Sequence, residues 1–161
     1  MDRYLTDRPF DPGQALATFT AGAPEAGGIV SFTGLVRPSA AGTPVTGLHL
    51  QAHPRLTEQG IAAVGRRASN RWPLIAWTVT HRVGDMAPGD AIVFVATAST
   101  HRREAFEAAD YLMDYLKTEA IFWKKEARGD RTLWIEPRDE DYADRDRWTD
   151  DLKEADDHGR H

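Results

Sequence analysis

The stretch AIVFVATASTHRREAFEAADYLMDYLK, residues 91–117, constrains the fold more than any other part of the 161-residue chain. Its first nine residues have the pattern of an apolar strand. Ser99 or Thr100 then stands where a helix N-cap is needed, and Glu104 falls in the first turn, where the helix dipole favours an acid. The predicted helix runs to about Lys117, with Ala105, Ala109, Leu112 and Leu116 on one buried stripe that Phe106 and Met113 widen. A helix of this kind must lay its stripe on another layer, and the strands around it supply a sheet.

The remaining segments fill in the layers. Gln14 to Thr20 reads as a short helix. Gly27-Gly28 opens a strand through IVSFTGLVR (29–37), with Val30, Phe32, Gly34 and Val36 facing one way and Ile29, Ser31, Thr33 and Leu35 the other. The segment PSAAGTP (38–44), rich in small residues and prolines, predicts a mobile loop. TGLHLQAH (46–53) alternates Leu48, Leu50 and Ala52 against His49, Gln51 and His53, a strand with one wet face. Pro54 suits a helix first turn, and Leu56, Ile61, Val64 and Ala68 recur at near-helical spacing from Arg55 to Asn70. IAWTVTHRVG (75–84) is a further strand, joined to the one at 91–99 by the tight connection DMAPGD. IFWKKE and TLWIEP, separated by Gly129-Asp130, form a closing hairpin. The order predicts an α+β domain over residues 1–137: a mostly antiparallel sheet, two main helices and the hairpin. Residues 138–161 form an acidic C-terminal tail, either a surface helix or disordered, with Trp148 and Leu152 its only large apolar residues after Tyr142.

Charge and composition narrow the function. The net charge of −5 belongs to the tail, where ten acids face five Lys or Arg, while residues 1–137 carry fifteen of each sign. A balanced body argues against nucleic-acid binding through a broad basic field. No apolar run approaches the roughly 20 residues that span a bilayer, and MDRYLTDRPFDPG lacks the layout of a signal peptide, so a cytoplasmic protein without membrane contact is expected. The sequence has no cysteine. That removes disulfides, thiolate ligands and a cysteine nucleophile, and any sulfur chemistry must borrow its reactive atom.

The candidate chemistry lies in cations set among apolar residues. Were the helix to continue unbroken, Lys117 and Lys124 would lie two turns apart on one face; were the chain to turn into a strand, Lys124 would share a face with Phe122 and Glu126. An ammonium flanked by Phe122 and Trp123 is partly desolvated, which lowers its pKa and opens proton transfer or nucleophilic attack. Spacing alone nonetheless favours lysines that snorkel from an apolar surface. His101-Arg102-Arg103 at a helix start is equally readable as an anion seat or as solvated charge. Arg37 is a third cation for the same anion or an exposed strand end. His49 and His53 are too widely spaced for a shared ion, His81 adds no close acid, and no metal is predicted. His158 and His161 read as solvent-exposed. Tyr111, Trp123 and Trp134 read as packing residues.

In order and spacing, FTGLVR (32–37), HRVGDMAPGD (81–90), the 91–118 run and FWKKE (122–126) make the chain resemble the large, catalytic subunit of molybdopterin synthase. The resemblance covers about residues 27–136. It implies an α/β-hammerhead fold and a sulfurtransferase of molybdenum cofactor biosynthesis. Such an enzyme converts cyclic pyranopterin monophosphate into molybdopterin, taking each sulfur from the C-terminal Gly-Gly thiocarboxylate of a small ubiquitin-like subunit. It also implies a homodimer within a heterotetramer and no cofactor. By motif, Lys117 and Lys124 fall on the family's catalytic positions, with Lys117 expected at the thiocarboxylate and in proton transfer and Lys124 at the pterin. Arg37, His101 and Arg102 fall on its phosphate-binding positions, and Phe32 and Met113 on pocket-lining ones. Leu35 and Pro38 depart from the family pattern beside Arg37. The alternative reading is a non-catalytic scaffold that binds the ubiquitin-like carrier; the presence of both lysines favours the enzyme.

Overall fold

The computed structural model describes residues 4–120 and 122–157, with 150–157 by backbone alone; His158 and His161 fall outside this range. The elements are β1 (Leu5–Thr6), α1 (Pro12–Ala21), β2 (Gly28–Leu35), β3 (Ser39–Ala40), β4 (Thr43–Ala52), α2 (Pro54–Arg71), β5 (Leu74–Arg82), β6 (Gly84–Met86), β7 (Ala91–Ser99), α3 (Arg102–Thr118), β8 (Phe122–Arg128), β9 (Arg131–Ile135) and α4 (Asp139–Asp157). The architecture is α+β, as the alternation of patterns requires.

Two sheets share the work. The first has strand order β1-β5-β7-β2, antiparallel except for the β1–β5 pair. Central β7 is buried from Val93 through Ser99, which explains why its sequence is an apolar run rather than an alternation. Its two buried hydroxyls are satisfied: Thr97 donates to the Ala105 carbonyl at 2.6 Å and Ser99 to the Pro73 carbonyl at 3.0 Å. Both bonds tie the sheet to what lies over it. Against the sheet, Ile61, Val64 and Ala68 of α2 and Ala108, Leu112 and Leu116 of α3 build one core with Val79 and Val95. Gly65 is required here, because a Cβ would come within 1.9 Å of the Trp77 ring. Gly27 is required by the same kind of approach, 2.0 Å from the Thr100 carbonyl, and it fixes the entry of β2 beside the start of α3.

The second sheet runs β3-β4-β8-β9, with β6 also paired to β4. It encloses a smaller core of Val36, Ala40, Val45, Leu48, Leu50 and Met86. Phe122 packs against both cores. The first residue of β8 is thereby held where the two halves of the molecule meet.

Several expectations are corrected. The 38–44 segment is a short hairpin, with Ser39 opposite Pro44 and Ala40 opposite Thr43, closed by Ala41 and Gly42 at φ 49° and 78°. Positive φ at both positions is the turn geometry that matches strand twist. DMAPGD is not a simple connection, since Gly84–Met86 leaves the first sheet to pair with Leu48–Leu50. Leu56 and Phe106 are 46% and 62% exposed, off the stripes assigned to them. Thr57 and Gly65 take up the buried face of α2, and Tyr111 and Tyr115 that of α3. The N-cap of α3 is His101, not Ser99 or Thr100, and its side chain makes no capping bond.

Of the two forms open to the acidic tail, the described part adopts the helix, and that helix is not confined to the surface. Trp148 is 8% exposed and packs edge-on to Trp72 and Tyr111, with ring centroids 5.6 Å away in each case. Its indole N–H donates to Asp114 at 2.7 Å, and Arg71 donates to its carbonyl at 2.9 Å. A buried tryptophan of this size anchors α4 to α2 and α3.

Candidate active site

The site begins where α3 ends. Lys117 sits in the last turn, and the helix closes on Glu119, whose N–H donates to the Tyr115 carbonyl at 2.8 Å. After the break the chain re-enters as a strand, so the second of the two lysine geometries holds. Lys124 and Glu126 lie opposite Leu50 and Leu48 in the β4–β8 register, and Phe122, Lys124 and Glu126 share the inner face. Lys125 points the other way, its ammonium 5.4 Å from the Trp134 ring centre. Strand period thus separates two adjacent lysines into one inside and one outside.

Inside, the charges act on one another. Burial is the main reason the Lys124 ammonium titrates below its ordinary value; Arg37 and Lys117 push it further down, against opposition from Glu126 and Asp141. Lys117 pairs with Asp141 of α4 at 3.4 Å. The Asp141 carboxyl is held below the usual range: burial works in the opposite direction, but the Arg138 backbone N–H, Lys117 and the Arg138 guanidinium outweigh it. Beneath Lys124, His81 stacks on Phe122 with centroids 4.0 Å apart, and its Nδ1 lies 3.0 Å from the Arg82 carbonyl. Burial, with a further push from Lys124, lowers the imidazole to about 4. The ring is neutral at neutral pH, so Nδ1–H donates to that carbonyl.

Arg37 follows β2 in a short, pinned segment. Val36 N–H donates to the Asp90 carbonyl at 2.9 Å and Gly89 N–H to the Val36 carbonyl at 2.8 Å, while Val45 N–H reaches the Pro38 carbonyl at 2.9 Å. The guanidinium itself is exposed. Met113, one helical turn before Lys117, is half-buried against the main core. Phe32 is 43% exposed on β2, the edge strand of the first sheet.

His101 and Arg102 do not join this group within one chain. They stand exposed at the opposite end of α3, about 22 Å from Lys117 along the axis at roughly 1.5 Å per residue. Sequence reasoning also missed residues that the fold adds. Asp141 lay unremarked in an acidic run, and His81 was weighed only as a metal ligand. A buried strand histidine whose ring partner, Phe122, lies on a distant strand carries no local signal. His49, the other strand histidine, pairs with Asp85 at 2.7 Å on the outer face.

Two cations around a half-buried amine suit an anionic ligand and proton transfer. Residues 5–119 match the family model of the MoaE protein. Over 144 residues the chain is 49% identical to a molybdopterin synthase catalytic subunit of Caulobacter vibrioides, covering 89% of this chain and 95% of that one. A molybdopterin biosynthesis MoaE protein from Burkholderia ambifaria superposes with a TM-score of 0.76 at 38% identity, over 90% of this chain and 95% of its own. A molybdopterin synthase from Staphylococcus aureus gives 0.76 at 27% identity, over 84% and 98%. With the family model, the curated relatives and the fold in agreement, the chain belongs to the MoaE family, whose curated relatives are molybdopterin synthase catalytic subunits.

Proposed function

We propose that this chain is the catalytic subunit of a cytoplasmic molybdopterin synthase: it moves sulfur from the C-terminal thiocarboxylate of a small ubiquitin-like carrier onto cyclic pyranopterin monophosphate. The observation that carries the reading is the half-buried Lys124 amine on the inner face of β8, close enough to Lys117 at the end of α3 and to Arg37 after β2 to be affected by their charge. A thiocarboxylate and a phosphate are both anions, and neither binds in a buried site without fixed positive charge. With no cysteine in the chain, the sulfur arrives already on the carrier. Among the described residues no helix is long and apolar enough to cross a membrane.

The two lysines divide the work by environment. Lys117, half exposed and paired with Asp141, receives the carrier's anionic terminus. Lys124, with its lowered pKa, is the better proton-transfer group, because a neutral amine is accessible nearer to neutral pH. This reading gives proton transfer to Lys124 rather than to Lys117, where the resemblance had it. Arg37 faces the precursor phosphate. His101 and Arg102 reach the same phosphate only from a second copy, since a helix length separates them from the lysines of their own chain. Exposed Phe32 and Leu35 on edge strand β2, and Phe106 one turn from Arg102, supply apolar surface for that copy.

Lys117→Ala and Lys124→Ala should each lower single-turnover sulfur transfer by about 10²-fold or more, with carrier docking largely kept. The assay uses thiocarboxylated carrier and precursor. Near-normal rates in both variants would remove the assignment.

A further inference from the structure

We propose that Asp141, on α4, is a positioning residue of the sulfur-transfer site: from a carboxylate fixed by Arg138 and by the anchoring of α4, it holds the Lys117 ammonium in its working place. The inference rests on the function proposed above and adds an element that the motifs do not contain.

The carboxylate is built in rather than incidental. Its side chain is 11% exposed. One oxygen accepts the Arg138 backbone N–H at 2.9 Å; the other lies 3.4 Å from both the Arg138 guanidinium and the Lys117 ammonium. Two turns further along α4, Trp148 and Arg147 both bond to Asp114, at 2.7 and 2.9 Å, three residues before Lys117 on α3. The helix that presents Asp141 is therefore pinned to the helix that presents Lys117, in one register.

Capping of α4 accounts for the bond to the Arg138 N–H, but not for the contact with Lys117. An ion pair to a half-exposed lysine is worth about 0–1 kcal/mol, while withdrawing a carboxylate from water is costly. What the pair does supply is geometry. Lys117 faces Lys124 across the site, with Arg37 adding repulsion and Glu126 countering it from β8, and Arg138, just before α4, and Glu140, in its first turn, flank Asp141. A long, flexible ammonium among like charges swings toward solvent unless an anion holds it on the inner side. Asp141 is that anion.

The chain has four lysines, at 117, 124, 125 and 153, so lysine side-chain NMR with ¹³Cε labelling gives a small set of signals that single substitutions assign. In Asp141→Asn, kcat for sulfur transfer should fall about 10-fold with KM for precursor and carrier within about 2-fold, and the Lys117 signal should lose its order. Asp141→Glu should recover part of both. An unchanged kcat, or a Lys117 signal as ordered in Asp141→Asn as in the parent, overturns the proposal. So does a loss of kcat in both variants that follows a fall in Tm, which would make Asp141 merely structural. A parent protein that transfers no sulfur would defeat the functional reading instead, and the NMR comparison would still decide whether Asp141 tethers Lys117.

Discussion

The two ends of α3 are built on opposite plans. At the C-terminal end, Lys117 is met by Asp141 from α4, Asp114 one turn earlier is met by Trp148 and Arg147, and Lys124 stands nearby on β8. At the N-terminal end, His101 makes no capping bond, and His101, Arg102 and Arg103 are all exposed beside an edge strand that itself exposes Phe32 and Leu35. One end is finished within the chain, and the other has the surface of a half-made site. Cations at a helix N-terminus oppose the dipole, so their placement there is not for helix stability. The difference teaches that the amines at one end of α3 are held by contacts within the chain, while the cations at the other end are left open to a second copy, as the proposed function requires.

A complementation experiment breaks or sharpens this division with the largest expected effect. Lys117→Ala and Arg102→Ala should each be strongly impaired at low precursor. When the two are co-expressed, mixed dimers put both defects in one site and leave the other intact, so activity should rise to roughly a quarter of the parent level. If Arg102 served the lysines of its own chain, every site would carry a defect and mixing would restore nothing. Rates of the mixture against each variant alone, at equal total protein, decide between the two arrangements.

The finished end owes its order to α4, which sets the next prediction. Trp148→Ala should cost about 3–5 kcal/mol, as for other buried large-to-small changes, because it empties a core position and strands the Asp114 carboxylate. Denaturant unfolding measures it. Phe106→Ala at the other end, where the ring is 62% exposed, should cost far less in the isolated chain. Equal losses would mean that α4 is not anchored as described.

The same contrast explains what could be read from sequence. The long strands β2, β4, β5 and β7, with α2, α3 and the closing hairpin, follow from periodicity, since a buried face imposes its period on the residues that form it. Lys117, Lys124 and Arg37 were picked out as candidates through the family resemblance, and the strand option correctly put Lys124 with Phe122 and Glu126. Leu56 and Phe106 misled because apolar residues at helical spacing need not all face the core. Asp141 and Trp148 were illegible for a different reason: their partners, Lys117 and Asp114, lie on another helix. An acidic run reads as solvent-facing until a tertiary contact picks out one member of it.

His81 gives the last test, and it separates the two ends by pH. The imidazole is pushed down to about 4 by burial against Phe122, with Lys124 adding repulsion, whereas the unfolded chain binds that proton near the ordinary value of about 6.5. Between these values the unfolded state holds more protons, so stability rises with pH across the window. His81 therefore contributes nothing adverse above about pH 6.5, and its cost grows as pH falls toward 4, reaching about 2–3 kcal/mol at pH 4.5. Thermal unfolding at pH 7 and 4.5 should show a large fall in Tm for the parent and a smaller one for His81→Phe, which keeps the stack and removes the titration. His101→Ala, at the exposed end of α3, leaves His81 in place and should retain the parent's acid sensitivity. If His81→Phe keeps the full difference as well, the acid-labile group at the finished end is a carboxylate, and the buried imidazole is not what makes the floor of the site sensitive to pH.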